Sequence, residues 1–158
     1  MPIRDVTIDD IPVLAEFWYD QMALRSQKHA AIKLAPNALT QWEIFAHTCL
    51  YDDDLVFLLA EIDNDIIGCA IGRIQANQVG LVPAQVGIIE QIIFDLHSPH
   101  KRKNAVTELL ETIKAYFRQS DIQYIIVQVP TQSPVEQGFW RGLGLSHLDD
   151  IFWMDLSK

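Results

Sequence analysis

The chain has 158 residues, of which 49% are apolar and 21% charged, and its formal net charge is −9. This composition is typical of a globular protein without large disordered regions, and the length predicts one domain spanning residues 1–158. The negative charge argues against a protein that binds nucleic acid or anionic membranes in general. We therefore expect small neutral or cationic partners, with no nucleic acid and no membrane among them.

The N-terminal segment MPIRDVTIDD carries acidic residues where a signal peptide needs an apolar run. No stretch of the sequence approaches the ~18 apolar residues of a membrane-spanning helix. Cys49 and Cys69 have neither the spacing of a metal knuckle nor that of a disulfide framework. These features predict a cytoplasmic protein with two buried thiols.

Hydrophobic periodicity and turn residues predict an α/β fold, a mixed sheet flanked by helices in the order β-α-α-β-β-β-α-β-α-β. The predicted strands span residues 2–6, 55–62, 66–74, 86–96, 124–129 and 151–156. The predicted helices begin after Thr7, at about residue 39, within the segment from residue 97 to about 119, and at Pro134.

Short local signals support three of these boundaries. The sequence Asp-Asn-Asp at residues 63–65 separates two strand patterns and predicts a tight hairpin turn. Ser133 is predicted as an N-cap, with Pro134 at the first helical position and Glu136 completing a capping box. The nearly continuous apolar run of residues 124–129 is typical of a strand buried on both faces.

Three consecutive cations, Lys101, Arg102 and Lys103, lie where a strand runs into an amphipathic helix. Such a turn presents backbone N–H groups at the positive end of the helix dipole, a geometry that binds phosphate. The alternative is a solvated basic loop that balances nearby acidic residues. His97 and His100 flank this segment, but no thiol or dense carboxylate cluster joins them, so no metal site is predicted.

The order of the elements resembles that of the GNAT family, the GCN5-related N-acetyltransferases, over nearly the whole chain. In that family a strand ends in a turn of the pattern [Q/R]-x-x-G-x-[G/A], whose amides hold the pyrophosphate of acetyl-CoA. Aligned by Leu109 and Leu110, the pattern falls on residues 101–106, with Asn104 and Val106 at the small-residue positions. Val106 would then add bulk in the first helical turn, where phosphate approaches.

A second motif supports the same resemblance. The segment GFWRGLGL, residues 138–145, is similar to the family's F-Y-x-x-x-G-F ending, with Trp140 at the tyrosine position. The resemblance implies cofactor contacts from the end of the fourth strand, the basic turn and this motif. The residues concerned are Phe94, Asp95, Leu96, Lys101, Arg102, Lys103, Asn104, Ala105, Val106 and Trp140.

The resemblance further implies the chemistry. Acetyl-CoA would be the co-substrate, and a small-molecule amine or a protein N-terminus would attack it directly, without an acyl-enzyme. The alternative is a catalytically inactive module with the same fold, serving as an acyl-CoA sensor or in protein interaction. A homodimer is compatible with the resemblance.

Acetyl transfer to an amine needs a base, donors for the thioester carbonyl and an acid for the departing thiolate. Glu90 is the carboxylate within the apolar run GIIEQIIF, where burial would make it a stronger base. It is the predicted catalytic base, the alternatives being a Glu90 that faces solvent or pairs with a cation, and Asp95. The indole of Trp140 does not titrate, so the acid is missing; Tyr124 could substitute, although a buried structural role is expected for it.

Aromatic residues on the first two predicted helices form an acceptor pocket or belong to the core; they are Phe17, Trp18, Trp42 and Phe45. The acidic run of residues 52–54 attracts a cationic amine or is a solvated turn. Cys69 lies in a strand pattern without a neighbouring base, so a nucleophilic thiol is not expected.

Overall fold

The computed structural model describes residues 2–130 and 133–157. A short 3-10 helix, Ile8–Asp10, precedes the first α-helix. The strands are β1 (Ile3–Asp5), β2 (Leu55–Ile62), β3 (Asp65–Ala76), β4 (Gln85–Phe94) and β5 (Ile125–Val127). The helices are α1 (Ile11–Ser26), α2 (Ala38–Cys49), α3 (Pro99–Gln119) and α4 (Pro134–Gly142).

The described residues form one sheet in the order β1-β2-β3-β4-β5. The first four strands are antiparallel, and β5 is parallel to β4 because α3 carries the chain back between them. Five strands flanked by four helices within the described residues confirm the predicted mixed α/β class.

The core lies on both faces of the sheet. The face covered by α3 includes the fully buried Leu109 and Phe117, with Trp140 of α4 packed beside them. The face covered by α1 and α2 includes Leu14 and Trp42. Each such side chain contributes about 1.5–3 kcal/mol by leaving water, so both layers of helices are held by apolar burial.

The hairpin predicted at residues 63–65 is confirmed. Asp63 and Asn64 connect β2 to β3 with φ of 52° and 67°. Positive φ at both central residues is what a type I′ turn requires, and Asn and Asp tolerate it better than other residues with a side chain.

Close packing of α3 depends on a glycine beneath it. A Cβ atom on Gly87 of β4 would lie 2.8 Å from the ring of Phe117. The absent side chain therefore lets this aromatic ring rest directly on the sheet, which fixes the height of α3 above β4.

The predicted last strand is wrong. Residues 151–156 do not belong to the sheet in the described part of the chain, and most of their large apolar side chains are exposed. The predicted strand at 124–129 is only Ile125–Val127, and its residues are half-buried rather than buried on both faces. Both differences leave β5 as the open edge of the sheet.

The start of α4 agrees with the prediction only in part. Pro134 is its first residue and Ser133 precedes it, but no side-chain capping hydrogen bond from Ser133 is formed among the described residues. Across residues 2–130 and 133–157, no helix combines the length and the hydropathy needed to cross a membrane.

Candidate functional site

The parallel pairing of β4 and β5 is short. It runs from Gly87–Ile125 to Ile89–Val127, whereas β4 continues to Phe94. Beyond Ile89 no further pairing of β4 with β5 is formed among the described residues, so the last residues of β4 have only β3 as a neighbouring strand.

A β-bulge occurs where this pairing ends. Ile71 of β3 pairs with Gln91, but the next residue, Gly72, pairs with Ile89. Glu90 is thus the extra residue of the bulge, and bulges re-aim side chains next to functional sites. As a result, Glu90 and its neighbour Gln91 both line the same cavity.

This cavity, which we call the aromatic cleft, lies between α1, α2 and β4 and has a volume of about 240 Å³. Its lining residues are Trp18, Ala38, Gln41, Trp42, Phe45, Glu90 and Gln91. The rings of Trp18 and Trp42 are stacked at 6.1 Å, and Phe45 meets Trp42 edge-on at 6.4 Å. Trp42 is buried in the core and also forms a wall of the cleft. For this residue, core packing and pocket lining are therefore compatible.

The wall of the cleft is held by a partly buried hydrogen bond. Nε1 of Trp42 donates to Oε1 of Gln91 at 2.9 Å. A buried indole N–H needs such a partner, and this one ties α2 to the end of β4. The amide of Gln91 is therefore oriented by the cleft itself.

Glu90 is not buried as expected, because a cation holds it at the surface. Nε of Arg73 donates to Oε2 of Glu90 at 2.9 Å, and Nη1 of the same arginine donates to Oδ2 of Asp52 at 2.6 Å. The Glu90 side chain is 31% exposed. The alternative reading, a carboxylate that pairs with a cation, is therefore the observed one.

The charges of this network stabilise one another. The hydrogen bond that Arg73 donates to Glu90, followed by the one it donates to Asp52, raises the pKa of Arg73 against the opposing effect of its burial. The backbone N–H of Asp54, followed by Arg73, lowers the pKa of Asp52. Two carboxylates therefore share one guanidinium, and the network, of which Glu90 lines the cleft, carries one net negative charge.

Arg73 is the residue of this candidate site that the sequence analysis missed. It lies in β3, which is otherwise mostly apolar, and its partners are 17 and 21 residues away in sequence. A single arginine in the run GCAIGRI was the available signal, since a charge in an apolar strand needs a partner.

Asp95 shapes the turn that follows β4. Its Oδ1 accepts the backbone N–H of His97 at 2.9 Å, and its Oδ2 accepts the hydroxyl of Ser98 at 3.3 Å. Both carboxylate oxygens are thus occupied by the chain that enters α3. This makes Asp95 a positioning residue for the helix start and a weaker candidate than Glu90 for a base.

The basic segment lies on the first turns of α3. The guanidinium of Arg102 is centred 5.1 Å above the ring of Phe94, and its Nη2 is 3.9 Å from Glu136 of α4. Lys103 is exposed and Lys101 is half-buried. Arg102 therefore bridges the end of β4 to α4, while the two lysines are available to an anion.

The expected turn at residues 101–106 is helix. Because α3 begins at Pro99, Val106 is its eighth residue, beyond the first turn where bulk was expected to meet phosphate. Its side chain is 6% exposed and packs in the core beside Ala105. Asn104 is exposed within the same helix. The prediction that Val106 lies in the first helical turn is therefore wrong.

The two candidate acids differ in exposure. Trp140 is 9% exposed and packs edge-on against Phe139 in the core, with ring centroids 5.4 Å apart. Tyr124, expected to be buried, is 57% exposed. Among the described residues, Tyr124 is thus the phenol that solvent reaches beside β5, whereas the indole faces the interior.

Burial disfavours the reactive thiolate form of both cysteines. Cys69 is fully buried, and desolvation raises its pKa far above the usual range of a thiol. Burial, followed by the charge of Glu90, raises the pKa of Cys49 to about 11. In the described ranges, no group of three or more His, Cys, Asp or Glu is placed to hold a metal ion, and this includes the neighbourhood of His97 and His100.

The sequence profile of the acetyltransferase (GNAT) family matches residues 18–145. No curated protein sequence matches the chain with significance.

Three solved structures illustrate the likeness of the fold. An aminoglycoside antibiotic 6'-N-acetyltransferase from Acinetobacter haemolyticus superimposes with a TM-score of 0.75 at 17% identity, covering 98% of this chain and 97% of that one. A predicted acetyltransferase from Clostridium acetobutylicum, solved with acetyl-CoA, gives 0.71 at 16% identity over 99% and 96%. A transcriptional regulator from Bacillus halodurans gives 0.76 at 13% identity over 98% and 99%.

Proposed function

The chain belongs to the GNAT acetyltransferase family, and from that premise we propose that it transfers the acetyl group of acetyl-CoA to the nitrogen of an amine. The observation that carries the proposal is Glu90, placed by a β-bulge in the lining of the aromatic cleft, where the pairing of β4 with β5 ends. Relatives by fold include an aminoglycoside acetyltransferase, so an amine acceptor fits the family. Either a small-molecule amine or a protein N-terminus meets this description.

Glu90 acts as the base that keeps the amine neutral. Arg73 binds one of its oxygens, Oε2, and no hydrogen bond to the other, Oε1, is formed within the described residues. Oε1 is therefore the atom that accepts a proton from the incoming ammonium, directly or through water. Arg73 and Asp52 act through Glu90 and are positioning residues.

The reaction is a direct displacement. The neutral amine nitrogen attacks the thioester carbonyl carbon and the new C–N bond forms. The C–S bond breaks with its electron pair on sulfur, and the nitrogen releases its surplus proton to solvent. The thiolate takes a proton from solvent, a tolerable route because thiols titrate near about pH 8.5. This route needs no tyrosine at the position of Trp140.

Acetyl-CoA is held at the end of β4 and the start of α3. The cations Lys101, Arg102 and Lys103 supply charge, and the positive end of the helix dipole adds to it. Because α3 begins at Pro99, the amides of residues 104–106 are inside the helix. The phosphates are therefore received about one turn earlier, with Asp95 and Leu96 at the approach and Phe94 beneath Arg102.

We also propose a domain organisation, a compartment and an oligomeric state for the whole protein. The chain is one domain over residues 1–158, acts in the cytoplasm, and forms a homodimer. Support for the dimer comes from the exposed apolar residues near the C-terminus and the open edge of β5.

A second function is favoured by one observation. Helical structure replaces the glycine turn that the family uses for pyrophosphate, and Asn104 and Val106 occupy its small-residue positions. The alternative is therefore an inactive module of the same fold that senses acyl-CoA or binds another protein.

Turnover separates the two functions. We expect release of free thiol from acetyl-CoA in the presence of a panel of amines, and a decrease of about 100-fold or more in kcat/KM for Glu90→Gln. Glu16→Gln, an exposed glutamate on α1, is the matched control and should retain full activity. A melting temperature raised by acetyl-CoA without thiol release from any amine would replace the enzyme by the sensor.

A further inference from the structure

The aromatic cleft is small. Its volume of about 240 Å³ lies below the roughly 300–1,000 Å³ that sites for drug-sized ligands occupy. Because the cleft is open to solvent, its walls have room to contact about one ring with a short side chain, and the rest of a larger molecule would lie outside them. The cleft therefore recognises one ring of its acceptor.

The walls of the cleft select a flat apolar body. Trp18, Trp42 and Phe45 present three aromatic rings to it, and stacked or edge-on contacts with a further ring add attraction beyond the burial of apolar area. Of its amide side chains, that of Gln91 is already engaged by the indole of Trp42. A ligand rich in hydroxyl groups would therefore find few polar partners on these walls.

The charge of the cleft selects a cation. Glu90 is the charged residue of its lining, and the network with Arg73 and Asp52 leaves one net negative charge there. Aromatic faces also attract ammonium groups. A positive end of the ligand therefore lies toward Glu90, and its flat end toward the tryptophans.

We propose that the acceptor is a small primary amine carried on a short chain from a single aromatic ring, with Trp18 as a specificity-determining residue. This inference rests on the proposed function, since it names the acceptor of the same site. It separates the chain from the aminoglycoside acetyltransferases that share its fold, because their substrate is a polyhydroxylated polyamine.

Binding in the absence of acetyl-CoA tests the inference apart from catalysis. We expect 2-phenylethylamine, titrated by calorimetry into the full chain, to bind at least about tenfold more tightly than butylamine, which lacks the ring, or 2-phenylethanol, which lacks the charge. Kanamycin, an aminoglycoside, should bind more weakly than 2-phenylethylamine. Tighter binding of kanamycin, equal binding of all the amines, or no saturable binding of 2-phenylethylamine up to about 10 mM would each overturn the inference.

Variants locate the site. Trp18→Leu and Glu90→Gln should each weaken 2-phenylethylamine about tenfold, whereas Tyr19→Leu, an exposed aromatic of the same helix, should not change it. Equal effects of Trp18→Leu and Tyr19→Leu would overturn the role of Trp18. Melting curves check that each variant is folded. If a variant is not folded, the comparison of ligands on the unmodified chain still tests the inference.

Thiol-release assays distinguish failure of this inference from failure of the proposed acetyltransferase function. Thiol release with kanamycin but not with 2-phenylethylamine would leave the acetyltransferase proposal standing and overturn this inference. Binding of 2-phenylethylamine without any thiol release would support the cleft assignment and remove the enzymatic function.

Discussion

At the scale of single residues, Asp10 is the buried charge of the described chain, with 7% exposure. Both of its oxygens accept hydrogen bonds from Arg4, at 2.8 and 2.9 Å, and Oδ2 also accepts the backbone N–H of Thr7. Arg4 in turn contacts Glu61 at 2.7 Å. The network thus joins β1, the entry to α1 and β2 through one bidentate pair.

We predict that Asp10→Asn destabilises the protein by about 1–3 kcal/mol near neutral pH, because Arg4 and the N–H of Thr7 lose a charged acceptor. Thermal unfolding should show a decrease of roughly 2–4 °C for each kcal/mol. The matched control is Asp9→Asn, an exposed neighbour, which should stay within about 0.5 kcal/mol of the unmodified chain. Equal losses from the two variants would contradict the assigned role.

The same pair predicts a dependence of stability on pH. Hydrogen bonds from Arg4, the largest cause, lower the pKa of Asp10 below its ordinary value of 3.8. Its stabilising contribution is therefore fully present above that value and is lost as the pH falls through the folded pKa. The free energy of unfolding, measured with denaturant between about pH 6 and pH 2, should fall less steeply for Asp10→Asn than for the unmodified chain. Part of the fall remains because the pKa values of Asp52 and Glu111 are also lowered.

At the scale of elements, α3 occupies residues 101–106, where the family pattern places a phosphate-binding turn. We predict that Val106→Gly destabilises the protein by about 2–4 kcal/mol, since it empties a core position and places glycine inside a helix. Val106→Ala should cost about 1 kcal/mol less, because it leaves the cavity but restores helix propensity. Asn104→Gly, on the exposed side, should cost about 0.5 kcal/mol.

Chemical denaturation measures these differences, and calorimetry with CoA adds a second readout. No gain in CoA affinity is expected for Val106→Gly, because its side chain faces the core and its removal opens no surface. Tighter CoA binding in this variant would show that α3 unwinds at its start to receive the cofactor.

Local signals in the sequence predicted most elements correctly, and the failures have physical causes. Ser98 and Pro99 together are a helix-start signal, and α3 does begin there, against the later turn that the family pattern implied. Residues 151–156 have the composition of a strand, but a strand also needs a neighbour to accept its hydrogen bonds. Composition cannot supply that neighbour.

The site was predictable in kind but not in geometry. Glu90 and the aromatics of the first two helices were identified, and the structure brings Glu90 to one cleft with Trp18, Trp42 and Phe45. Phe17 does not line this cleft and packs against the core instead. The exposure of Glu90 follows from a bulge, which breaks the alternation of a strand by one residue and leaves no mark in its hydrophobic pattern. Pairing with Arg73 depends on strand register, which pattern alone does not give.

At the scale of the whole molecule, an acidic chain exposes an apolar segment near its C-terminus. Phe152 is 91% exposed, Met154 77% and Leu156 87%. Exposed apolar side chains of this kind mark an interaction surface, and β5 offers an unpaired strand edge within the described sheet. Every copy carries both the apolar segment and the unpaired edge of β5. The segment of one copy can therefore pair with the edge of another across a twofold axis.

We predict that the protein is a dimer in which residues 151–156 of one copy pair along β5 of the other. Light scattering after size exclusion should give twice the 18.0 kDa of the chain, and the double variant Phe152→Asp, Met154→Asp should give a monomer. Val79→Asp is the control, since Val79 is fully exposed on the loop between β3 and β4 and should leave the dimer intact. Added salt should strengthen association of the unmodified chain, because each copy carries a net charge of −9 and screening reduces their repulsion. A monomer at all concentrations, or a dimer that survives the double variant, would contradict this assembly and leave the open edge of β5 to another partner.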